Sequence, residues 1–274
     1  MKRLGFTILG VLALAGCVST TPASNPRVIN IAATPSPASA QIAGSIQHLV
    51  DQTSNTYVTL VVHNASPRER KKDELPEPVA SGSGFLVDDE GTVVTAGHVG
   101  MEKGWLVEAR GPNGRIYQGT VEALSYSPDV AIVKLRDMEG NAAVKPTSSA
   151  CLHKGQPIFS LGKPRAEGDI ARTGELISSH FERPVTYSKF GYPDAMVLKL
   201  STRRGESGGP VFNERGELIG MLVSTLSDKN TGTPLDLAHA LPAPMIARVL
   251  CKMTSCSPEW RLLAAQDQAQ CPSS

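Results

Sequence analysis

Short runs rich in β-branched and apolar residues recur along this chain, at 57–62, 84–87, 92–95, 105–109, 116–123, 130–135, 157–161, 170–178, 196–200 and 217–224. Turn residues separate them, and each run is too short for a typical helix. The gaps leave little room for the crossover helices that a parallel sheet requires, so the pattern predicts antiparallel barrels. A length of 274 residues is ample for a buried core, and all-β barrel pairs of about 200 to 250 residues form single units. Behind Pro244, the residues Ile246, Val249 and Leu250 share one face and predict a closing helix. A shorter amphipathic helix is expected at 45–51.

One segment carries chemistry. Arg204-Gly205-Glu206-Ser207-Gly208-Gly209-Pro210-Val211 reads as a tight glycine turn that lifts a serine hydroxyl out of the backbone. Glycines on both sides leave backbone N–H groups free to face the charge that grows on an attacked carbonyl. Upstream, Thr92-Val93-Val94-Thr95-Ala96-Gly97-His98 runs from an apolar strand into a histidine, which sets His98 at a strand end facing a cleft. Ser127-Pro128-Asp129-Val130-Ala131-Ile132-Val133 then puts one carboxylate at the mouth of a strand, where it can orient an imidazole.

In the order His, Asp, Ser, these segments resemble the signatures of trypsin-like serine proteases. Ser81-Gly82-Ser83-Gly84-Phe85-Leu86-Val87 before the histidine run is most similar to the bacterial HtrA/Deg branch, and the likeness spans roughly residues 45 to 250. The resemblance implies two six-stranded antiparallel β-barrels with a C-terminal helix, an all-β fold with the site between the barrels and their boundary within 137–155. It implies a serine endopeptidase acting on polypeptides of extracytoplasmic origin through an acyl-enzyme. His98 would be the general base, Asp129 its orienting carboxylate and Ser207 the nucleophile, with the N–H groups of Gly205 and Ser207 as oxyanion hole. Ser201, Ser224, Thr225 and His239 would border the specificity pocket, and a serine at 201 argues for a small or medium apolar substrate residue. Glu206 departs from the family pattern of Asp or Asn; Arg203 and Arg204 are its nearest candidate partners in sequence. That departure sustains an alternative, a catalytically silent binding or chaperone module. The 32 residues after Pro242 are too few for the peptide-sensing PDZ domain usual in the HtrA branch.

Elsewhere the sequence is less demanding. Twenty-seven basic against 26 acidic side chains give a net charge of +1, which suggests no nucleic-acid partner. Phosphate loops, CxxC pairs and an HExxH helix are missing, so neither cofactor nor metal is expected. His48, His63, His153 and His180 are expected as surface or satisfied core residues, and Asp88, Asp89 and Asp194 as solvated turn residues. A solvated loop is expected at 67–78.

Residues 1–16 have the basic start and short apolar run of an export signal, too short to span a bilayer. Leu14-Ala15-Gly16-Cys17 resembles a lipobox, which implies acylation of Cys17 and a bacterial lipoprotein held by its lipid on the periplasmic face, with Val18 pointing to the outer membrane. Residues 17–40, rich in Pro, Ser, Thr and Ala, are expected to be a disordered tether. The protease domain is then 41–253, followed by a Cys-containing extension at 254–274. Cys151, Cys251, Cys256 and Cys271 suggest two disulfides among three possible pairings.

Overall fold

The structure, a computed structural model, describes residues 27–66, 76–138, 140, 142–147, 152–165, 167–228 and 230–266. Cys17, Cys151, Cys271 and most of the 67–78 loop lie outside the described residues.

In chain order the first elements are β1 (Ile29–Ala33), α1 (Pro37–Ile42) and α2 (Ile46–Thr53). Then come β2 (Tyr57–His63), β3 (Pro78–Leu86), β4 (Thr92–Ala96), the single-turn α3 (Gly97–Gly100), β5 (Leu106–Arg110), β6 (Ile116–Ser125) and β7 (Val130–Leu135). The six strands after α2 close a barrel in the order β2-β3-β4-β7-β6-β5. All of its pairings are antiparallel. β4 is buried along its whole length because one face fills this barrel while the strand also meets the second one, which is why its sequence is continuously apolar or small.

The second barrel uses β8 (Pro157–Gly162) and β9 (Asp169–Ser178), then, past the small strands β10 (Val185–Tyr187) and β11 (Phe190–Tyr192), β12 (Met196–Lys199), β13 (Pro210–Asn213), β14 (Leu218–Ser227) and β15 (Pro234–Pro242). The order β9-β12-β15-β14-β13-β8 closes where β8 pairs β9. β10 and β11 form a separate hairpin between β9 and β12. After β15 come α4 (Ala243–Met253) and α5 (Pro258–Ala264); a Cys251–Cys256 disulfide ties α4 to the connection before α5, and Trp260 and Leu263 are buried in the core. Two antiparallel barrels and a C-terminal helix are thus the architecture that the motifs implied.

The tether expected at 17–40 does not hold from residue 29 on, where the chain forms β1 and enters α1. β1 pairs in parallel with Asp169–Thr173 on the edge of β9 that its later residues, from Glu175 on, share with β12. α1 follows, started by a capping box in which Ser36 and Ser39 satisfy each other's backbone and side chain. Arg27 fastens the entry, its guanidinium donating to the carbonyls of Tyr57 (2.8 Å) and Arg110 (2.7 Å) and lying 3.5 Å from Asp169. A composition poor in large apolar residues cannot order itself, but here the unpaired edge of β9 supplies the hydrogen-bond partners.

Candidate active site

α3 follows β4 without a linker and bends the chain so that His98 stands over the start of β7. His98 therefore sits in a helical turn just past the strand end. Gly97 permits the approach: a Cβ there would lie 2.7 Å from Asp129 Oδ1. Asp129, 0 % exposed, accepts the His98 backbone N–H on Oδ1 (2.7 Å) and faces His98 Nδ1 through Oδ2 (2.7 Å). The Tyr187 hydroxyl also donates to Oδ2 and lies 3.4 Å from His98 Nδ1. A carboxylate offers only lone pairs, so the bridging proton belongs to Nδ1, which leaves Nε2 as the basic nitrogen. The His98 side chain is 26 % exposed, enough to reach a bound molecule.

The turn around Ser207 is built as its glycines suggested. Gly205 (φ +104°) and Gly208 (φ +84°) are left-handed, and side chains there would collide with Lys163 O and Ser83 O. Ser83 is a contact that sequence reasoning missed. Its N–H donates to Ser207 O (2.8 Å), and its hydroxyl donates to Gly205 O (3.0 Å) while accepting Lys163 N–H (3.1 Å). Gly82 lets β3 pass this close, because a Cβ there would lie 2.9 Å from Ser207 O. The N–H groups of Glu206, Gly208 and Gly209 are taken by Arg203 O, Leu222 O and Glu206 O. Those of Gly205 and Ser207 find no acceptor among the described residues, so both remain free for a ligand oxygen.

Of the two candidates nearest in sequence, Glu206 meets Arg203 through the backbone alone, and its ion-pair partner comes from β9. Its carboxylate lies under the turn, 2 % exposed, and accepts Arg172 Nε from β9 (2.6 Å) and the Arg203 backbone N–H (2.9 Å). The Arg203 guanidinium turns instead to Ser201 Oγ (3.1 Å) and Thr202 O (2.9 Å). Burial pushes the Glu206 carboxyl above its usual range, against the opposing pull of Arg172 and the Arg203 N–H.

His98 and Ser207 together line two adjoining recesses of one cleft. The larger, about 870 Å³, is bordered by Tyr187, Thr202, Ser224 and Thr225 and rimmed by Arg165, Arg203 and Arg204 opposite Glu167. The smaller, about 300 Å³, lies toward Ala80, Ser81, Val99 and Gly205 and shares Arg165 and Arg204. Ser201 and His239 stand outside this lining. The Ser201 N–H donates to Thr34 Oγ1 (2.9 Å), and Thr202 borders the recess in its place. His239 is buried behind the wall, its Nδ1 2.9 Å from Tyr192 OH and its ring 4.4 Å from that of Phe181; burial lowers its pKa. His180 and Asp194, read separately as ordinary surface residues, form a pair at 2.6 Å, with Asp194 also accepting the N–H groups of Phe181, Glu182 and Ala195. Among the described residues no three His, Cys, Asp or Glu side chains are grouped to hold a metal ion.

Comparison with known proteins agrees with this fold. The family described as Trypsin-like peptidase domain matches residues 82–221. Serine protease HTRA2, mitochondrial, of Bos taurus is 28 % identical over 180 residues, 64 % of this chain and 37 % of that protein. Periplasmic serine endoprotease DegP of Escherichia coli (strain K12) is 26 % identical over 178 residues, 64 % of this chain and 36 % of the relative. The chain thus spans a little over a third of the length of these relatives. Among solved structures, the active form of the Rv3671c protease from M. tuberculosis superposes with a TM-score of 0.62 at 20 % identity, covering 90 % of this chain and 98 % of that one. An HtrA-type protease, AlgWS227A with tripeptide, gives a TM-score of 0.63 at 19 % identity, covering 77 % of this chain and 64 % of that one.

Proposed function

Because the chain belongs to the trypsin-like peptidase family, we propose that it is a serine endopeptidase that cleaves polypeptides through an acyl-enzyme on Ser207. His98 Nε2 takes the hydroxyl proton as Oγ adds to the scissile carbonyl, then passes it to the departing amine. Water repeats the sequence in reverse roles and frees the acid. Asp129 holds the imidazole in its reactive tautomer and stabilises the imidazolium between the two transfers. The free N–H groups of Gly205 and Ser207 receive the oxyanion, a contribution of about 10² to 10³ in rate for each such donor.

The observation that carries this reading is the 2.7 Å contact of His98 Nδ1 with a fully buried Asp129, on the cleft that Ser207 also lines. The Arg172–Glu206 pair supports an oxyanion turn braced from within the chain, with no newly cut N-terminus needed. Thr202, Ser224 and Thr225 border the larger recess, which favours a small or medium uncharged side chain at the acyl side of the cut. Export is part of the same proposal: the Cys251–Cys256 disulfide suits an oxidising compartment, a curated relative is named as periplasmic, and acylation of Cys17 would hold the protein at a membrane.

The test is labelling of the full chain by a fluorophosphonate probe together with digestion of unfolded casein. Wild type should label and cut, and Ser207→Ala should lose both, with hydrolysis falling about a millionfold. Casein cut equally fast by Ser207→Ala would refute the mechanism. A wild-type protein that neither labels nor cuts would transfer the case to the binding-module reading.

A further inference from the structure

Three donors reach the buried Asp129 carboxylate, and one of them comes from the other half of the molecule. The His98 N–H and Nδ1–H belong to the first barrel, whereas the Tyr187 hydroxyl rides on the β10–β11 hairpin inserted between β9 and β12. Resting on the peptidase reading above, we propose that Tyr187 is a positioning residue of the His98–Asp129 pair: its hydroxyl fixes the plane of the carboxylate and moderates its hold on the imidazole.

The hairpin is placed to do this reproducibly. It is not hydrogen-bonded into either barrel sheet, so side chains and one backbone contact set its position. Lys189 at its tip pairs with Glu102 (2.8 Å), beyond α3, and lies over the rings of Tyr126 and Phe190. Gly191 N–H donates to Tyr126 O (2.9 Å). At the other end Tyr192, 1 % exposed, has its hydroxyl 3.1 Å from Ser224 Oγ and 2.9 Å from His239 Nδ1. Between these anchors the rings of Tyr187 and Phe190 stand T-shaped to the His98 imidazole, at 5.6 and 6.5 Å between centroids. One small hairpin therefore touches the general base, its carboxylate and the wall of the larger recess.

The direction of the effect follows from electrostatics. A hydroxyl that donates to Oδ2 draws negative charge away from the oxygen that faces Nδ1–H. Burial, and then the neighbouring Asp129 charge, push the Tyr187 phenol far above its ordinary pKa, so it stays a donor at every working pH. Without it, Oδ2 acts on the imidazole alone, the imidazolium is favoured, and a lower proton concentration is needed to free the base. The other groups facing the pair do not change charge in that range. Tyr192 is pushed up to about 12 by burial, and the Lys189–Glu102 pair holds both partners ionised.

Two variants of the full chain test this, Tyr187→Phe and Tyr187→Ala, each checked for an unchanged melting transition. For Tyr187→Phe the acidic limb of kcat/KM should move up by roughly 0.5 to 1 pH unit, and kcat should fall about three- to tenfold with KM nearly constant, as for loss of one charge-assisted hydrogen bond. In a Ser207→Ala background the low-field proton resonance of His98 Nδ1–H should also move on Tyr187→Phe, a readout that needs no turnover. If Tyr187→Phe matches the parent in pH profile and resonance while only Tyr187→Ala loses activity, the ring merely packs and the proposal is overturned. Should no hydrolysis or probe labelling occur at all, the peptidase reading fails, yet the resonance still decides the role of Tyr187.

Discussion

Removing Arg172 would expose how much of the turn that carries Ser207 depends on one buried ion pair. Arg172 and Glu206 side chains are 7 % and 2 % exposed with 2.6 Å between Nε and Oε1, so Arg172→Met leaves a carboxylate stranded under the turn with only the Arg203 N–H as donor. Breaking such a pair from one side costs about 3 to 5 kcal/mol, because the surviving charge stays desolvated. For a domain of this size that corresponds to a melting temperature lower by about 6 to 20 °C. The loss should depend on pH with a definite sign. Burial already holds the folded Glu206 carboxyl above its ordinary range, and without the guanidinium nothing but one N–H opposes that rise. A carboxyl whose folded pKa is raised binds protons more readily in the folded state, so stability increases as pH falls through the window from the folded value down to the unfolded value near 4.3. The deficit of Arg172→Met should therefore be largest near pH 8 and shrink toward pH 5. Thermal melts monitored by circular dichroism at those two pH values, run beside fluorophosphonate labelling rates, give the answer. Labelling should slow at least about tenfold at pH 8, where the unpaired carboxylate pulls the turn away from its resting shape. The double variant Arg172→Met/Glu206→Gln removes both charges and should recover most of the melting temperature. A single variant that melts within about 2 °C of wild type at both pH values, or a double variant no better than the single, would refute this account of the turn.

Two further outcomes follow from the cleft. Arg165 and Arg204 line both recesses and have no carboxylate within ion-pair distance among the described residues, so peptides with Asp on the leaving-group side of the scissile bond should be cut faster than matched Asn peptides. Exposed charge pairs are worth about 0.2 to 1 kcal/mol, so the preference should be about 1.4- to fivefold, vanish in Arg165→Gln/Arg204→Gln and weaken at 0.5 M salt; an unchanged ratio in the double variant would count against it. Ser83→Ala should lower kcat about tenfold while leaving KM close to wild type, since Gly205 O and Lys163 N–H lose the hydroxyl between them; stopped-flow acylation by an activated ester would show whether the loss lies in acyl transfer.

What the sequence disclosed and what it withheld separate along a physical line. Strand cadence and the glycine turn are local patterns, and each survives into the structure because neighbouring residues decide it. Partner choice is not local. Arg203 and Arg204 stand nearer Glu206 in sequence, but Arg172 is delivered by a strand whose closure against β8 points its side chain beneath the turn. Tyr187 belongs to a three-residue strand with no catalytic signature, and its only trace is the spacing of aromatic residues in Tyr187, Phe190 and Tyr192. β1 was hidden for the opposite reason: its residues are half-exposed and short, and the edge of β9 is what makes them a strand.

These nonlocal contacts converge on one small region of backbone. Ser83 holds the turn from the first barrel, Arg172 from below, and Thr34, just past β1, accepts the Ser201 N–H while its own N–H bonds Thr173 O beside Arg172. In β1 itself, Ala32 stands in register with Arg172. The segment before α1 therefore adds a support to the second barrel on the same strand that supplies the guanidinium. A turn with glycines at 205, 208 and 209 has little stiffness of its own, so its geometry must be imposed by what surrounds it. Here that surround comes from β3, β9 and the segment after β1, far apart in sequence, and the cooperativity of the fold becomes the precision of the site.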